Sequence, residues 1–343
     1  MVNVPSKSIR HSPVSMGLCH SHSSKGQQQQ RDKSEAHSLP VLATHPLGIL
    51  DMGCSSEPTP SESDLKEPRL PTDLEREIFE IAALHDRSSI NRLMLVAKRV
   101  KAWIEPILYT VILQTKWDYP LPNYPPLYEN YARDTKDPRF KEMTAWGKHV
   151  GLQNMKVSQA MEILESCINV QDLALWIIIG SHKPLRQIIP TLPVRRLHVD
   201  IERFFSEDPS VGPRRDLFTF DHIPLMNLTH LHILLFPTVP WAQWKSIALL
   251  PSLSHLAIDG WDVEFTKEAL EKCKSLELFV VINVLRTHFQ ELQDTDSRLV
   301  TLAESQWIQS WETGALTGND IWTRAELARK QRHNTGTSWF GAY

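Results

Sequence analysis

Histidine and aspartate side chains recur in the middle of this chain at a spacing that could hold a metal ion. They are His198, Asp200, His230, His232, His255 and Asp259. Side chains two residues apart on a β-strand point to the same face, so such pairs would lie close together. Imidazole and carboxylate groups are ligands of many catalytic metal ions. A metal-dependent hydrolase is therefore one hypothesis for the function.

The wider sequence favours a protein without catalytic activity. It contains no HExxH, GxSxG, GxxxxGK[ST] or GxGxxG motif, and histidines on a sheet face are more often polar surface residues. Its cysteines, Cys19, Cys54, Cys167 and Cys273, form no closely spaced pair, which argues against a zinc ribbon, a redox CxxC motif or a compact disulfide framework. We predict a non-enzyme with no cofactor and no metal site.

The histidines belong to a degenerate repeat with the pattern apolar-x-x-Leu-x-apolar. Its central leucines are Leu173, Leu197, Leu231, Leu256 and Leu276, and Val150 could mark an earlier copy. Helical or turn-like stretches separate the copies. This arrangement resembles the leucine-rich-repeat superfamily, in which a strand and a returning helix build a curved parallel sheet. We predict an irregular α/β solenoid over residues 146–314, with an ordinary α/β sandwich as the alternative.

In such a sheet, the residues that alternate with the leucines share one face. That face would mix aromatic, cationic and anionic groups, which suits a protein ligand because aromatic anchors contribute buried area and rim charges orient the partner. The predicted target-binding residues are Trp176, Arg196, His198, Asp200, His230, His232, His255 and Asp259. In the alternative, loops or the C-terminal segment cover some of these positions.

A helical segment of about forty residues precedes the repeats, at 68–113. Thr72 and Glu75 are spaced as a capping box, which predicts the start of a first helix. A turn at 86–89 should separate it from a second helix, and Pro106 should bend or end a third. Three such short helices bury little surface, so this module needs a partner or the rest of the chain. It could also be a bundle that merely completes the core.

This helical segment resembles an F-box. The likeness is carried by Leu70-Pro71, Leu74, Ile78-Phe79, Val96-Ala97-Lys98-Arg99 and Trp103. The stretches LPTDLEREIFEIAA and LMLVAKRVKAWIEPILY, and the closing segment from Asp296 to Glu326, are similar to F-box-like proteins of mushroom-forming fungi. The resemblance implies docking on the Skp-type adaptor of a cullin-RING ubiquitin ligase. The implied contact and supporting residues are Leu70, Pro71, Leu74, Ile78, Phe79, Val96, Lys98 and Trp103.

The remaining segments frame these two parts. Residues 1–67 contain no aromatic residue and are rich in Ser, His, Pro and Gln, which predicts a disordered tail. Residues 114–145 are rich in Pro and Tyr, and we predict an ordered connector rather than a free linker or a proline-rich docking site. Residues 315–343 should form a C-terminal helical tail.

The net charge argues against nucleic acid and anionic membranes as partners. The chain has 37 basic and 40 acidic residues, a net charge of −3, which predicts no general attraction to nucleic acid or to an anionic membrane. No apolar run approaches the roughly 20 residues that span a bilayer. We therefore expect a protein of the cytoplasm, the nucleus or both.

Together these features predict an α + α/β fold, in which a small three-helix F-box-like module precedes a leucine-rich-repeat-like solenoid. The predicted function is a non-catalytic substrate-recognition adaptor of a Skp-cullin-F-box-type ubiquitin ligase, with an unknown protein target. Ala97 and Val100 stand where F-boxes often have Cys and Trp. An interaction scaffold without a ligase role is therefore the alternative.

Overall fold

A computed structural model describes most of the chain beyond residue 69. The described residues are 70–115, 137–205, 220, 223–234, 241–260, 262–282, 289–303 and 306–335. All of them belong to one compact unit, Lys66–Tyr343. The predicted disordered tail at 1–67 and most of the connector at 114–145 lie outside the described residues. No described helix is long and apolar enough to cross a membrane.

Three helices open the described chain: α1 (Thr72–His85), α2 (Ile90–Leu93) and α3 (Lys98–Leu108). Their spacing of apolar residues turns one side of each helix inward. The buried residues at their centre are Ala83, Ile90, Val100, Ile104 and Leu108. The three predicted helices are therefore present, although α2 ends at Leu93 and the chain turns before α3 begins.

The capping box predicted for this segment was wrong. Pro71 is the N-cap of α1 and no side chain caps the helix, and Glu75 pairs instead with Arg99 on α3, 2.6 Å away. Pro106 lies inside α3 near its end, and the helix ends soon after it at Leu108. A missing amide so close to the C-terminus removes one hydrogen bond of a helix that is about to end.

One parallel sheet of eight strands follows. The strands pair in sequence order, so each strand lies beside the next one along the chain. They are β1 (Val111–Thr115), β2 (His149–Gln153), β3 (Asp172–Trp176), β4 (Arg196–Asp200), β5 (His230–Leu234), β6 (His255–Asp259), β7 (Leu278–Ile282) and β8 (Leu299–Leu302). Strand β1 ends the segment that was predicted to be helical, so α3 leads directly into the sheet.

Helices connect the strands, as parallel pairing requires. The α-helices between β1 and β8 are α4 (Pro138–Ala145), α5 (Val157–Leu164), α6 (Lys183–Ile188), α7 (Ile201–Phe205), α8 (Val263–Lys272) and α9 (Gln290–Thr295). Short 3-10 turns lie at 87–89, 189–191, 241–243 and 245–249. The mixed α/β fold is thus confirmed.

The repeat register is confirmed for Val150, Leu173, Leu197, Leu231 and Leu256, which lie side by side across neighbouring strands and are buried. It was wrong for the last copy. Leu256 pairs with Phe279, whereas Leu276 precedes β7. The sequence LFVVI in β7 is apolar at every position, so it carries no alternation that could set the phase. Phe279 therefore takes the core position in this strand.

Side chains also link the turns that precede successive strands. Asn169 donates to the backbone oxygen of Ala145 at 2.8 Å, Ser252 to that of Met226 at 2.7 Å, and Ser275 to that of Leu253 at 2.9 Å. Each donor stands immediately before a buried apolar residue, Val170, Leu253 or Leu276. These bonds satisfy turn carbonyls that the sheet ladder cannot reach.

Two helices close the described chain, α10 (Trp307–Thr317) and α11 (Ile321–Thr335), here termed the C-terminal helix pair. They lie across the sheet face opposite the connecting helices. Trp311 packs edge-on against Trp176 with ring centroids 5.4 Å apart. Trp322 joins an apolar cluster with Leu278 and Val280. The pair begins before residue 315 and packs on the sheet, so the predicted helical tail is part of the fold.

The closest packing beneath the helix pair generates a first prediction. A Cβ on Gly151 would lie 2.8 Å from Leu113 and 2.9 Å from each of Trp176 and Trp311. We expect Gly151→Ala to lower the free energy of unfolding by roughly 1–3 kcal/mol through overpacking. Urea denaturation measures this change.

The matched control is Gly318→Asn. Gly318 has a φ of 76°, and a Cβ there would meet no atom within 4 Å. Asparagine tolerates this left-handed backbone better than most residues. A Gly151→Ala protein as stable as the unaltered chain would contradict the described contact between the two tryptophans and β2.

Candidate docking surface and buried histidine layer

Helix α1 carries apolar residues on its outer face as well as its inner one. Leu70, just before the helix, and Leu74, Ile78 and Ile81 within it are between 46% and 57% exposed. Their spacing of three or four residues places them along one side of the helix. These four residues form the apolar stripe. The opposite side of α1 buries Ala83 in the helical core.

More exposed apolar residues follow in the turn between α2 and α3. Leu95 is 85% exposed and Val96 is 62% exposed. Seven of the 13 large apolar side chains that are exposed in the described part of the chain lie between residues 70 and 96. Such a concentration of exposed apolar side chains on a small unit indicates an interaction site.

Six of the eight predicted adaptor-binding residues lie on the surface: Leu70, Pro71, Leu74, Ile78, Val96 and Lys98. Phe79, predicted as a direct contact, and Trp103, predicted to support the contacts or the internal core, are half-buried and pack against the helical core. The predicted contact set left out Leu95, and also Ile81, although Ile81 shares the helical spacing of Leu74 and Ile78. The position of Ile81 on the helical period could have identified it, whereas Leu95 stands in a turn and follows no period.

The predicted target-binding face is covered. Trp176, His198, Asp200 and His232 are buried, and their predicted exposure was wrong. Trp176 contacts Trp311 and His198 contacts Trp322 of the C-terminal helix pair, whereas Asp200 pairs with Arg203. Arg196, His230, His255 and Asp259 are half-buried. The alternative, in which loops or the C-terminal segment cover some of these positions, is confirmed for Trp176, Arg196, His198, His230 and His255. The covered polar residues Asp172, Arg196, His198, His230, His232 and His255 are here termed the histidine layer.

Asp172 is the anion at the centre of this layer. Trp311 of α10 donates to its Oδ1 at 3.1 Å, Nε2 of His198 lies 3.4 Å from the same oxygen, and Nδ1 of His149 lies 3.3 Å from Oδ2. Burial alone would raise the pKa of Asp172, but the bonds and charges of His149 and His198 outweigh it and hold the pKa well below its ordinary value.

His198 and His232 contact each other through their ring nitrogens. Their Nδ1 atoms are 3.0 Å apart, so one ring donates and the other accepts, and a single proton lies between them. Nε2 of His232 is buried and has no hydrogen-bond partner among the described residues. Burial, followed by the charge of His198, lowers the pKa of His232 well below its ordinary value.

His230 and His255 stack with ring centroids 4.1 Å apart. Trp322 of α11 lies edge-on to both rings, at 5.0 and 5.9 Å. Burial, and then the charges of His255 and Arg196, lower the pKa of His230 to about 3. Burial also lowers the pKa of His255, although Glu326 of α11, 3.5 Å from its Nε2, opposes the shift.

An ion pair fixes the start of α11 over the layer. Arg196 on β4 lies 2.6 Å from Oδ2 of Asp320, and the other oxygen of Asp320 accepts from the backbone amide of Thr323 at 2.7 Å. Asp320 therefore acts as a helix cap and as an anchor to the sheet.

The layer does not have the geometry of a metal centre. Within the described ranges, no group of three or more His, Cys, Asp and Glu side chains is placed to hold a metal ion. The facing Nδ1 atoms of His198 and His232 are within hydrogen-bond distance of each other. The arrangement is a packed polar layer between a sheet and two helices.

Comparison of the sequence with protein-family models and with curated proteins finds no match. The F-box and leucine-rich-repeat resemblances therefore stay predictions, carried by the residues quoted for them.

Asp172 generates the second prediction. We expect Asp172→Asn to lower the free energy of unfolding by roughly 2–4 kcal/mol at pH 7, because it removes the anion that His149, His198 and Trp311 share. A carboxylate with a lowered pKa stabilises the fold above its ordinary pKa. The deficit should therefore be complete at pH 7 and shrink below about pH 4.

Denaturant unfolding at pH 7 and in acid measures this difference. Asp294→Asn is the control, since Asp294 is an exposed residue on α9 whose change should leave stability within about 0.5 kcal/mol. Equal stability of the two variants at pH 7 would show that Asp172 is not the centre of the layer.

Proposed function

We propose that this chain is a non-catalytic substrate-recognition adaptor of a Skp-cullin-F-box-type ubiquitin ligase. The observation that carries the proposal is the apolar stripe on α1, which stays exposed although the chain's own helical core is complete. The residues of the F-box resemblance include three of the four members of that stripe, Leu70, Leu74 and Ile78. The ligase's catalytic steps would belong to its other subunits.

The physics of such a dock is the burial of the stripe. Each apolar side chain removed from water contributes about 25 cal/mol for each Å² that it buries. An amphipathic helix that inserts its apolar face between the helices of a partner uses this term for affinity and its charged flanks for orientation. Glu77, exposed beside the stripe on α1, and Lys98 and Lys101, exposed on α3, are charged residues available for this.

The target would bind elsewhere than on the covered sheet face. Ile177 and Ile179 follow β3 and are 40% and 55% exposed. Ile177 has a φ of 54°, and Asn154, which follows the neighbouring strand β2, has a φ of 52°. A left-handed backbone is unusual for a β-branched residue, and such strain clusters at functional sites. In this proposal, the loops after β2 and β3 contribute to target recognition.

The test is binding of the full chain to a recombinant fungal Skp-type adaptor, measured by calorimetry. Ile78→Asp puts a charge in the stripe and should weaken binding by about 100-fold or more, because the carboxylate would be buried against an apolar surface. Its thermal stability should be unchanged, since Ile78 is 53% exposed.

Ile168→Asp is the matched control. It introduces the same change at an isoleucine that is 60% exposed in the turn before β3, and it should bind as tightly as the unaltered chain. Tight binding by Ile78→Asp would contradict docking through the stripe. A folded, unaltered chain that ignores the adaptor would favour the scaffold function instead.

A further inference from the structure

The C-terminal helix pair is held on the sheet through side chains that can change charge near neutral pH. Four histidines of the layer lie at this boundary, in two contacting pairs. The first pair is His198 and His232, and the second is His230 and His255. On the opposite side of the sheet, one histidine is buried among the described residues: His182, whose ring bonds to the backbone oxygen of Ile178. Titratable rings are therefore concentrated beneath the helix pair.

We propose that the C-terminal helix pair is an acid-released latch, in which proton uptake by His230, His232 and His255 detaches α10 and α11 from the sheet. This inference does not depend on adaptor docking, because α1 and the apolar stripe take no part in it.

The first pair resists protonation for a geometric reason. At 3.0 Å, the two Nδ1 atoms of His198 and His232 share a single proton, and a second proton would place two N–H groups against each other. His198 can donate to Asp172 through its Nε2. His232 has no anion in contact, and its Nε2 has no partner in the described part of the chain. A charge on His232 is therefore stable only after the layer opens.

The second pair resists protonation because its rings are stacked. Two charged rings with centroids 4.1 Å apart would repel each other, and Trp322 excludes water from them. Glu326 favours a charge on His255, whereas Arg196 disfavours one on His230. At most one ring of this stack carries a charge while the helix pair is closed.

Other charged groups face the layer from both sides. From the sheet side they are His149, Asp172, Arg196 and Glu277, and from the helix pair they are Asp320, Arg324, Glu326 and Arg329. The anions favour protonation and the arginines oppose it. Burial is the largest effect on all three rings, and it leaves the pKa values of His230, His232 and His255 below their ordinary value.

The closed form of the helix pair should lose stability in acid. A histidine has an ordinary pKa near 6.5, so in the open form each ring takes up a proton at pH 5, whereas in the closed form it stays neutral. The closed form is therefore favoured at pH 8 and loses stability as the pH falls through about 6.5. His230, with a pKa of about 3 when closed, by itself raises the opening equilibrium by about 30-fold between pH 8 and pH 5.

The opening should remain local. The core on the far side of the sheet is built from apolar side chains of the strands and connecting helices, and the residues of α10 and α11 contribute nothing to it. The helix pair adds two separate apolar clusters, one around Trp311 and one around Trp322. Detachment breaks these clusters and the layer, and it leaves the main core closed.

Hydrogen exchange of the full chain, read by mass spectrometry at pH 8 and pH 5 and corrected for the intrinsic rate, tests the proposal. Amides of α10 and α11 should open at least about 30-fold more at pH 5, and amides of β3 to β5 should respond less. No response in the helix pair would overturn the proposal. An equal response in strands and helices would also overturn it, because it would indicate global unfolding.

Substitutions test whether the acid response of the helix pair comes from the stacked rings of His230 and His255. His230→Gln with His255→Gln should remove about 30-fold or more of the ratio between pH 5 and pH 8. Glu326→Gln should enlarge the ratio, because it removes the anion that favours a charged His255 in the closed form. His85→Gln, at an exposed histidine on α1, should leave it unchanged.

The ratio is taken within each variant, so a change in baseline stability cancels. A double variant that keeps the full acid response would refute the latch, and so would a Glu326→Gln protein whose response is smaller than that of the unaltered chain.

Discussion

A parallel sheet must be covered on both faces, and the architecture of this chain follows from that constraint. The connecting helices cover one face as each strand is added. The other face has no such built-in cover, and α10 and α11 supply it from the end of the chain. Strands β3 and β7 are accordingly buried at every position. The sheet cannot be closed until the last helices are in place.

The two coverings differ in chemistry. The connecting helices meet an apolar surface, which packs without orientation-dependent bonds. The C-terminal helix pair meets a polar strip that includes Asp172, Arg196 and His232, so each contact requires a matched donor or acceptor. Such a boundary is specific in geometry and sensitive to protonation. The same strip could be mistaken for a metal site when only residue types are considered.

The apolar stripe on α1 differs from the histidine layer, because its side chains remain exposed. There the chain has more apolar side chains than its own core uses, and Leu74 and Ile78 stay in contact with water. A helix with two apolar sides leaves one of them in contact with water, which costs free energy. Burial of that side by a partner removes this cost. The polar groups of the histidine layer are covered, and most of them bond to other groups of this chain. The apolar side chains of the stripe are exposed, and the chain's own core does not bury them.

The amino-acid sequence by itself determined the strand positions from Val150 to Leu256 and the three helices at the start, because alternation and helical spacing are local properties. It could not show which residues of β7 face the core, because they are all apolar. It also could not show that α10 and α11 pack against the sheet. Whether His198 or Trp176 faces water depends on helices more than a hundred residues away. Only the tertiary structure decides that, since burial is set by what packs against a face and not by the face itself.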